Sequence, residues 1–245
     1  MYVATILPTR YLDLIEKDNY MLCLAQYVEQ DGIYREFFRT KKKGFLIIDN
    51  GVAEGERCSI ESIAESAAWV GADEIILSDV VGNKDETLDD SFQSLEFYLS
   101  RFDNSVQYMA VPQGRNLVEW TECAKRFCED YRIRTIGISK FLTNSCGPYA
   151  RLQALQSLLP FINDRDIHLL GCWDNVFEPL SINMWCKENQ VTNLRGVDSG
   201  IAYSYTEQGK YIWEDDRSYN IPTVKINYNR LRLNVMRWRR SCNGV

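Results

Sequence analysis

The residues best placed to do chemistry lie in the stretch 194–203, LRGVDSGIAY, where a short apolar run ends at Val197 and Asp198, Ser199 and Gly200 follow at once. A carboxylate at the end of a buried strand is costly to hold there without a task. The simpler reading makes Asp198 the cap of the next helix, with Ser199 as a second polar group. The same arrangement recurs along the chain, however. Residues 45–48 lead into Asp49, Asn50 and Gly51, and residues 74–77 into Ser78 and Asp79. Residues 106–111 lead to Pro112, Gln113 and Gly114, and the run 135–138 contains Gly137 and ends at Ser139 and Lys140. Residues 167–170 run into Gly171 and Cys172. Any one of these is explicable as a cap or a turn. Acids, an amide and glycines in corresponding places make capping a poor complete explanation, and carboxylates so placed can act as nucleophiles or exchange protons.

Other nucleophile systems are poorly supplied. His168 is the only histidine and sits early in the apolar run IHLLG. It reads as a satisfied core or barrel-rim residue, which leaves acid–base chemistry to the carboxylates. None of the eight cysteines forms a CxxC pair. That usage predicts reduced, buried thiols in a cytoplasmic protein, with neither a disulfide framework nor a structural zinc site.

The elements that must position these residues follow from the pattern. Eight short apolar runs, at 3–7, 21–25, 45–48, 74–77, 106–111, 135–138, 167–170 and 194–197, are mostly continuous, as strands buried on both faces should be. Helical patterns lie between them at 59–71, 87–101, 116–131, 148–162 and 179–189. The first opens with Ser59 and then Ser62, a partial capping box, and ends at Gly71. Strands alternating with helices predict a parallel α/β sheet, and eight such units predict a single (β/α)8 TIM-like barrel across 1–245. The alternative is an open doubly wound sheet, although no GxGxxG opens the chain. In a barrel, all the strand ends described above converge on one rim.

Composition limits partners. The 245 residues are 45% hydrophobic and 25% charged, ordinary globular values, with no apolar stretch long enough for a membrane span and no secretory pattern at the start. A net charge of −6 argues against general polyanion binding. Yet residues 229–242 hold five arginines and no acid, within a basic helix expected at about 228–242, and 40–44 read TKKKG. Arg230, Arg237, Arg239 and Arg240 are therefore candidates for nucleic-acid backbone contacts, the alternative being a solvated terminal helix.

In their order and placement the motifs resemble those of the tRNA-guanine transglycosylases, including the archaeal branch and the phage relatives that modify DNA. The resemblance runs from residue 45 to about 211. FLIIDNG at 45–51 resembles the family strand ending in Asp-Ser-Gly, and IILSD at 75–79 the strand with a base-reading Asp. AVPQG at 110–114 is similar to the Val-Gln-Gly motif, and 135–137 to the glycine-bearing strand. IHLLG at 167–171 resembles His-Leu-Phe-Gly, and VDSGIAY at 197–203 the archaeal Asp-Ser-Ala-Ala-Tyr around the nucleophile.

The resemblance implies exchange of a guanine in a nucleic acid for a free 7-deazaguanine base such as preQ0 or preQ1, with no cofactor. Asp198 would attack C1′ and hold the sugar covalently, and Asp49 would handle protons on the departing and entering bases. Asp79 would read the base N–H groups, Gln113 would donate and accept, and Gly137 would present its backbone. Leu170 would wall the ring, with Asn50, Gly114, Gly171 and Ser199 completing the base-binding set. The target base would be extruded or locally single-stranded. Three departures modify the expectation. The family's Cys-rich zinc cluster with its late His has no counterpart, which predicts no zinc subdomain. Ala53 stands where the bacterial pattern places a stacking aromatic. No further RNA-binding domain follows the barrel, so DNA is favoured over tRNA. Rival readings are a non-catalytic accessory subunit of the same fold and an unrelated barrel hydrolase or phosphate-binding enzyme, for which no glycine-rich loop is present near the last two runs.

Overall fold

The computed structural model describes residues 1–41, 44–52, 55, 58–102, 105–172, 176–214 and 225–243. The apolar runs form eight strands, β1 Tyr2–Thr5, β2 Tyr20–Leu24, β3 Phe45–Asp49, β4 Glu74–Ile76, β5 Gln107–Ala110, β6 Thr135–Ser139, β7 Asp166–Leu170 and β8 Leu194–Ser199. All pair in parallel, in the order β1-β8-β7-β6-β5-β4-β3-β2. β1 and β2, the two ends of that order, lie against one another, so the sheet is a nearly closed (β/α)8 TIM-like barrel rather than an open doubly wound sheet. No helix among the described residues is long and apolar enough to cross a membrane.

The helices are α1 Ala25–Gln30, α2 Gly32–Lys41, α3 Ile60–Val70, α4 Lys84–Arg101, α5 Leu117–Cys128, α6 Leu142–Cys146, α7 Ala150–Leu158, α8 Phe177–Glu188, α9 Ile201–Glu207 and α10 Tyr228–Asn243, with a 3-10 turn at Thr9–Ile15 after β1. Their starts are chemically legible. Ser59 accepts from the Ser62 N–H, Asn83 from Glu86 N–H and Asn116 from Glu119 N–H, each satisfying a donor that the helix cannot. Ser62 does not complete a capping box, because its hydroxyl donates to Glu29 at 2.9 Å. Gly71 closes α3 at φ 64°, the left-handed conformation a glycine adopts without strain. The expected helix at 148–162 is shorter than its pattern, and α1, α2, α6 and α9 lie outside the helical segments expected from the sequence, although α2 is strongly amphipathic.

Side chains alternate between two cores. Outward residues such as Cys23, Ile48, Ile75, Ala110, Ile136, Leu169 and Val197 meet the helices. The inner cluster is small: Ala4, Tyr20, Leu22, Leu24, Ile47, Ile76, Met109 and Val111. The alternation breaks once. Ile167 pairs with Leu194 but His168 pairs with Gly196, so Arg195 is the extra residue of a β-bulge on β8. Leu194 joins the outer core while Arg195 turns into the barrel, where it meets the fully buried Glu74. Thr135 donates to Glu74 at 2.5 Å, and Arg195 Nε donates to the Tyr20 hydroxyl at 3.1 Å. The Tyr20 ring stacks between Tyr2 and Phe45. A Cβ on Gly196 would lie 2.7 Å from that ring, so glycine is needed there for close approach. Gly196→Ala should therefore cost about 1–3 kcal/mol through overpacking, measured as a lower urea midpoint at unchanged m-value. An unchanged midpoint would mean that the Tyr20 ring is free to move aside.

Candidate active site

The C-terminal ends of the strands enclose a cavity of about 270 Å³. That lies just below the usual 300–1,000 Å³ of ligand pockets, a size for one small planar group rather than an extended ligand. Asp49 of β3, Asp79 after β4 and Asp198 of β8 all line it, together with Asn50, Leu170, Gly171 and Ser199. Acids separated by up to 149 positions in the chain thus share one space, each less than a tenth exposed. The rest of the wall is largely apolar, from residues such as Ile6, Leu24, Ile76 and Val111, with Ser139, Lys140 and Ser204 the polar exceptions among the described residues.

Each carboxylate is held differently. Asp198 does not cap α9. The cap position is Gly200, and the Ser199 hydroxyl before it accepts from Ile201 N–H at 2.9 Å and donates to the Cys172 carbonyl. Asp198 Oδ1 instead lies 2.9 Å from Nε2 of the fully buried His168, and both Asp198 oxygens receive the Gly171 N–H at 3.3 Å. Gly171 has φ 71°, and that left-handed turn aims its N–H back at the carboxylate. Asp49 accepts from Gly51 N–H at 3.0 Å in a local turn. Beneath it the Cys23 thiol is pushed well up by burial and further by the Asp49 charge, so it stays neutral. Asp79 is gripped from both sides: Asn50 Nδ2 donates to Oδ1 at 2.8 Å and Gln113 Nε2 to Oδ2 at 2.6 Å.

Several expected contacts fall elsewhere. Gln113 stands behind Asp79 and lines an adjoining cleft with Gly114; its Oε1 accepts from Gly82 N–H at 3.3 Å. Gly114 has no Cβ because one would lie 2.5 Å from the Trp120 amide nitrogen, so it serves helix packing. Gly137 does not line the cavity. A Cβ there would meet Leu170 Cδ1 at 2.7 Å, so the glycine makes room for the Leu170 side chain, which does line it. Arg239 lies at the opposite end of the barrel, beside the N-terminal strand ends, and donates to Asp18 at 2.6 Å and to the Leu14 carbonyl at 2.9 Å. Arg230 rests over the Tyr211 ring, while Arg237 and Arg240 are exposed on α10. Ala53 and residues 42 and 43 of the TKKKG segment lie outside the described residues.

Four further residues, none given a role in the site by the sequence, contribute to it. His168, expected as a satisfied core or barrel-rim residue, is buried with both ring nitrogens hydrogen-bonded, and one of its partners is Asp198. Phe141, after β6, is the one aromatic among the described lining residues. Lys140 lines the cavity and donates to Glu178 at 2.7 Å, and Arg151, fully buried, donates to both Glu178 oxygens and to the Gly171 carbonyl. Among the described residues no group of three or more His, Cys, Asp or Glu side chains is arranged to hold a metal ion. All eight cysteines are free thiols. No protein-family model matches the chain, and no curated protein matches it either.

Burial alone would raise the Glu178 pKa, but the Arg151 guanidinium and the Lys140 ammonium outweigh it and hold the carboxyl below its ordinary value. The ion cluster therefore contributes stability that is complete above the unfolded-state pKa of about 4.5 and is lost as pH falls through the lower folded-state value. Urea unfolding of wild type and Glu178→Gln across that range should show an advantage for wild type that shrinks below about pH 4.5. A constant advantage down to about pH 3 would rule out this linkage.

Proposed function

We propose that this chain is a pentosyltransferase that exchanges guanine in a nucleic acid for a 7-deazaguanine base through a covalent Asp198–sugar intermediate. The observation that carries the reading is the convergence of Asp49, Asp79 and Asp198 from three strands on one small, largely apolar cavity. Its dimensions suit a single extruded base, and its chemistry suits glycosyl transfer. An oxocarbenium-like centre is favoured beside fixed negative charge, and paired carboxylates perform comparable work in retaining glycosidases.

In this reading Asp198 attacks C1′ as the C1′–N9 bond breaks, and the departing guanine takes a proton from Asp49. The incoming base returns that proton to Asp49 as its N9 attacks C1′ and frees Asp198. Asp79, oriented by Asn50 and Gln113, accepts from the N–H edge of either base. Leu170 bears on one side of the ring, and Phe141 provides the aromatic face. DNA is the preferred substrate over tRNA, because the cysteines do not reproduce the Cys-rich cluster of the resembled tRNA enzymes. Action in the cytoplasm fits eight thiols that must stay reduced.

The test is release of labelled guanine from DNA and from tRNA on addition of preQ0 or preQ1. Release from DNA is expected; release from tRNA alone would overturn the DNA assignment, and binding without release would make the chain an accessory subunit. Asp198→Asn should lose the covalent adduct and at least about 10³-fold in rate while remaining folded. Phe141→Ala should lose about 1–3 kcal/mol of stacking, roughly 5- to 150-fold in kcat/KM. An unchanged kcat/KM would remove Phe141 from the site.

A further inference from the structure

Below Asp198 the barrel interior contains a column of hydrogen bonds that the base-exchange scheme does not use. His168 Nε2 meets Asp198 Oδ1 at 2.9 Å, and His168 Nδ1 meets the Tyr20 hydroxyl at 2.7 Å. Arg195 Nε donates to that hydroxyl at 3.1 Å, and the Arg195 guanidinium is held in turn by Glu74 and, at 3.4 Å, by Asp166. The column links β8, β7, β2 and β4 across the barrel, and His168, Tyr20 and Glu74 are all buried.

The donors in this column have one consistent direction. A guanidinium N–H only donates, so the Tyr20 oxygen accepts from Arg195. Its own proton then has His168 Nδ1 as the available acceptor among the described residues. Nδ1 is therefore unprotonated, and the ring proton sits on Nε2, where an ionised Asp198 requires a donor. An imidazolium would place a second donor on the Tyr20 oxygen and leave the phenol proton without a partner in a buried site. Burial pushes the Tyr20 pKa well up, with Glu74 and Asp198 adding to that and Arg195 opposing, which keeps the phenol protonated. Asp198 faces the imidazole ring from above, while Arg195 stands between it and the acids Glu74 and Asp166 below.

We propose that His168 and Tyr20 are positioning residues for Asp198. The neutral Nε2–H tautomer, locked from behind by Tyr20 and Arg195, pins Oδ1 and turns Oδ2 toward the cavity as the attacking oxygen. Oδ2 has no partner among the described residues other than the long, shared Gly171 bond. The proposal rests on the base-exchange reading for the identity of the attack, but the proton arrangement stands apart from it.

The chain has a single histidine, so one ¹⁵N-histidine label reports the ring without assignment. At about pH 8, where imidazole is ordinarily neutral, wild type should show the Nε2–H tautomer. An Nδ1–H tautomer would overturn the proposal. In Tyr20→Phe, which keeps the ring and removes the hydroxyl, the proton should stay on Nε2 opposite Asp198, while the Nδ1 resonance moves downfield as it loses its donor. That variant's kcat for base exchange should fall on the order of 10- to 100-fold, by analogy with the loss of groups that hold metal-ligating side chains in place, with KM within about twofold. His168→Gln, which can still donate to Asp198, should retain more activity than His168→Leu. Equal losses in both, or a Tyr20→Phe effect confined to KM, would make the column structural only. If wild type exchanges no base from any nucleic acid, the functional reading fails, and the wild-type spectrum still decides the proton arrangement.

Discussion

A carboxylate inside a barrel must be matched by donors, because an unpaired buried charge costs several kcal/mol. Asp198 meets this condition through His168 below and Gly171 beside it, and much of the barrel interior follows from that arrangement. His168 needs a partner for Nδ1, which brings Tyr20 into the axis of the barrel. Tyr20 needs space, which a side chain at position 196 would occupy. The Tyr20 hydroxyl accepts from Arg195, which reaches it only because a bulge turns one residue of β8 inward. Arg195 in turn needs Glu74, and Glu74 is further satisfied by Thr135. The lower half of the barrel is consequently polar where branched aliphatic layers are the usual filling.

The upper half has the opposite character. Three acids face a small, largely apolar cavity, and Lys140, the one cation among its described lining residues, is paired with Glu178. Such a space is hostile to phosphate and favourable to N–H donors and to developing positive charge. A nucleotide entering it would place its base inward and leave its phosphates at the rim. The same electrostatics that would exclude a phosphate-binding role would stabilise an oxocarbenium-like sugar.

Much of the scaffold was legible because continuous apolar runs ending in polar residues are what a fully buried parallel strand requires. Phe45–Asp49 and Leu194–Ser199 show this most clearly: each strand ends on or just after the acid that the sequence marks. Individual contacts were less legible, since spacing reveals which strand end a residue occupies but not what stands between it and the cavity. Gln113 has the right chemistry for a base and is used to orient Asp79 instead. Gly137 has its place in the barrel because of Leu170, a partner 33 positions away. The five arginines near the C-terminus form a run in the sequence, but a helix distributes a run around its circumference. Leu231, Val235, Trp238 and Cys242 face the core, and Arg239 is directed to Asp18 at the far end of the barrel. The bulge at Arg195 has no sequence signature. Without it, the position of His168 on an apolar strand gives no sign of its two polar partners.

The polar column is difficult to explain by stability. A buried ion pair with its hydrogen bonds commonly contributes no more than well-packed hydrophobic side chains of similar volume, and often less. Leu22, Ile47, Ile76 and Met109 fill neighbouring positions with apolar side chains, so such packing is available to this barrel. What a chain of hydrogen bonds adds over such packing is direction: each donor fixes the next acceptor, and the last bond in the series ends on one oxygen of Asp198. An apolar filling would support the strand equally well but leave that carboxylate free to rotate about its own axis. A reaction that requires one oxygen to meet one carbon is the circumstance in which this loss matters, since misplacement by about 1 Å can cost on the order of 100-fold in rate.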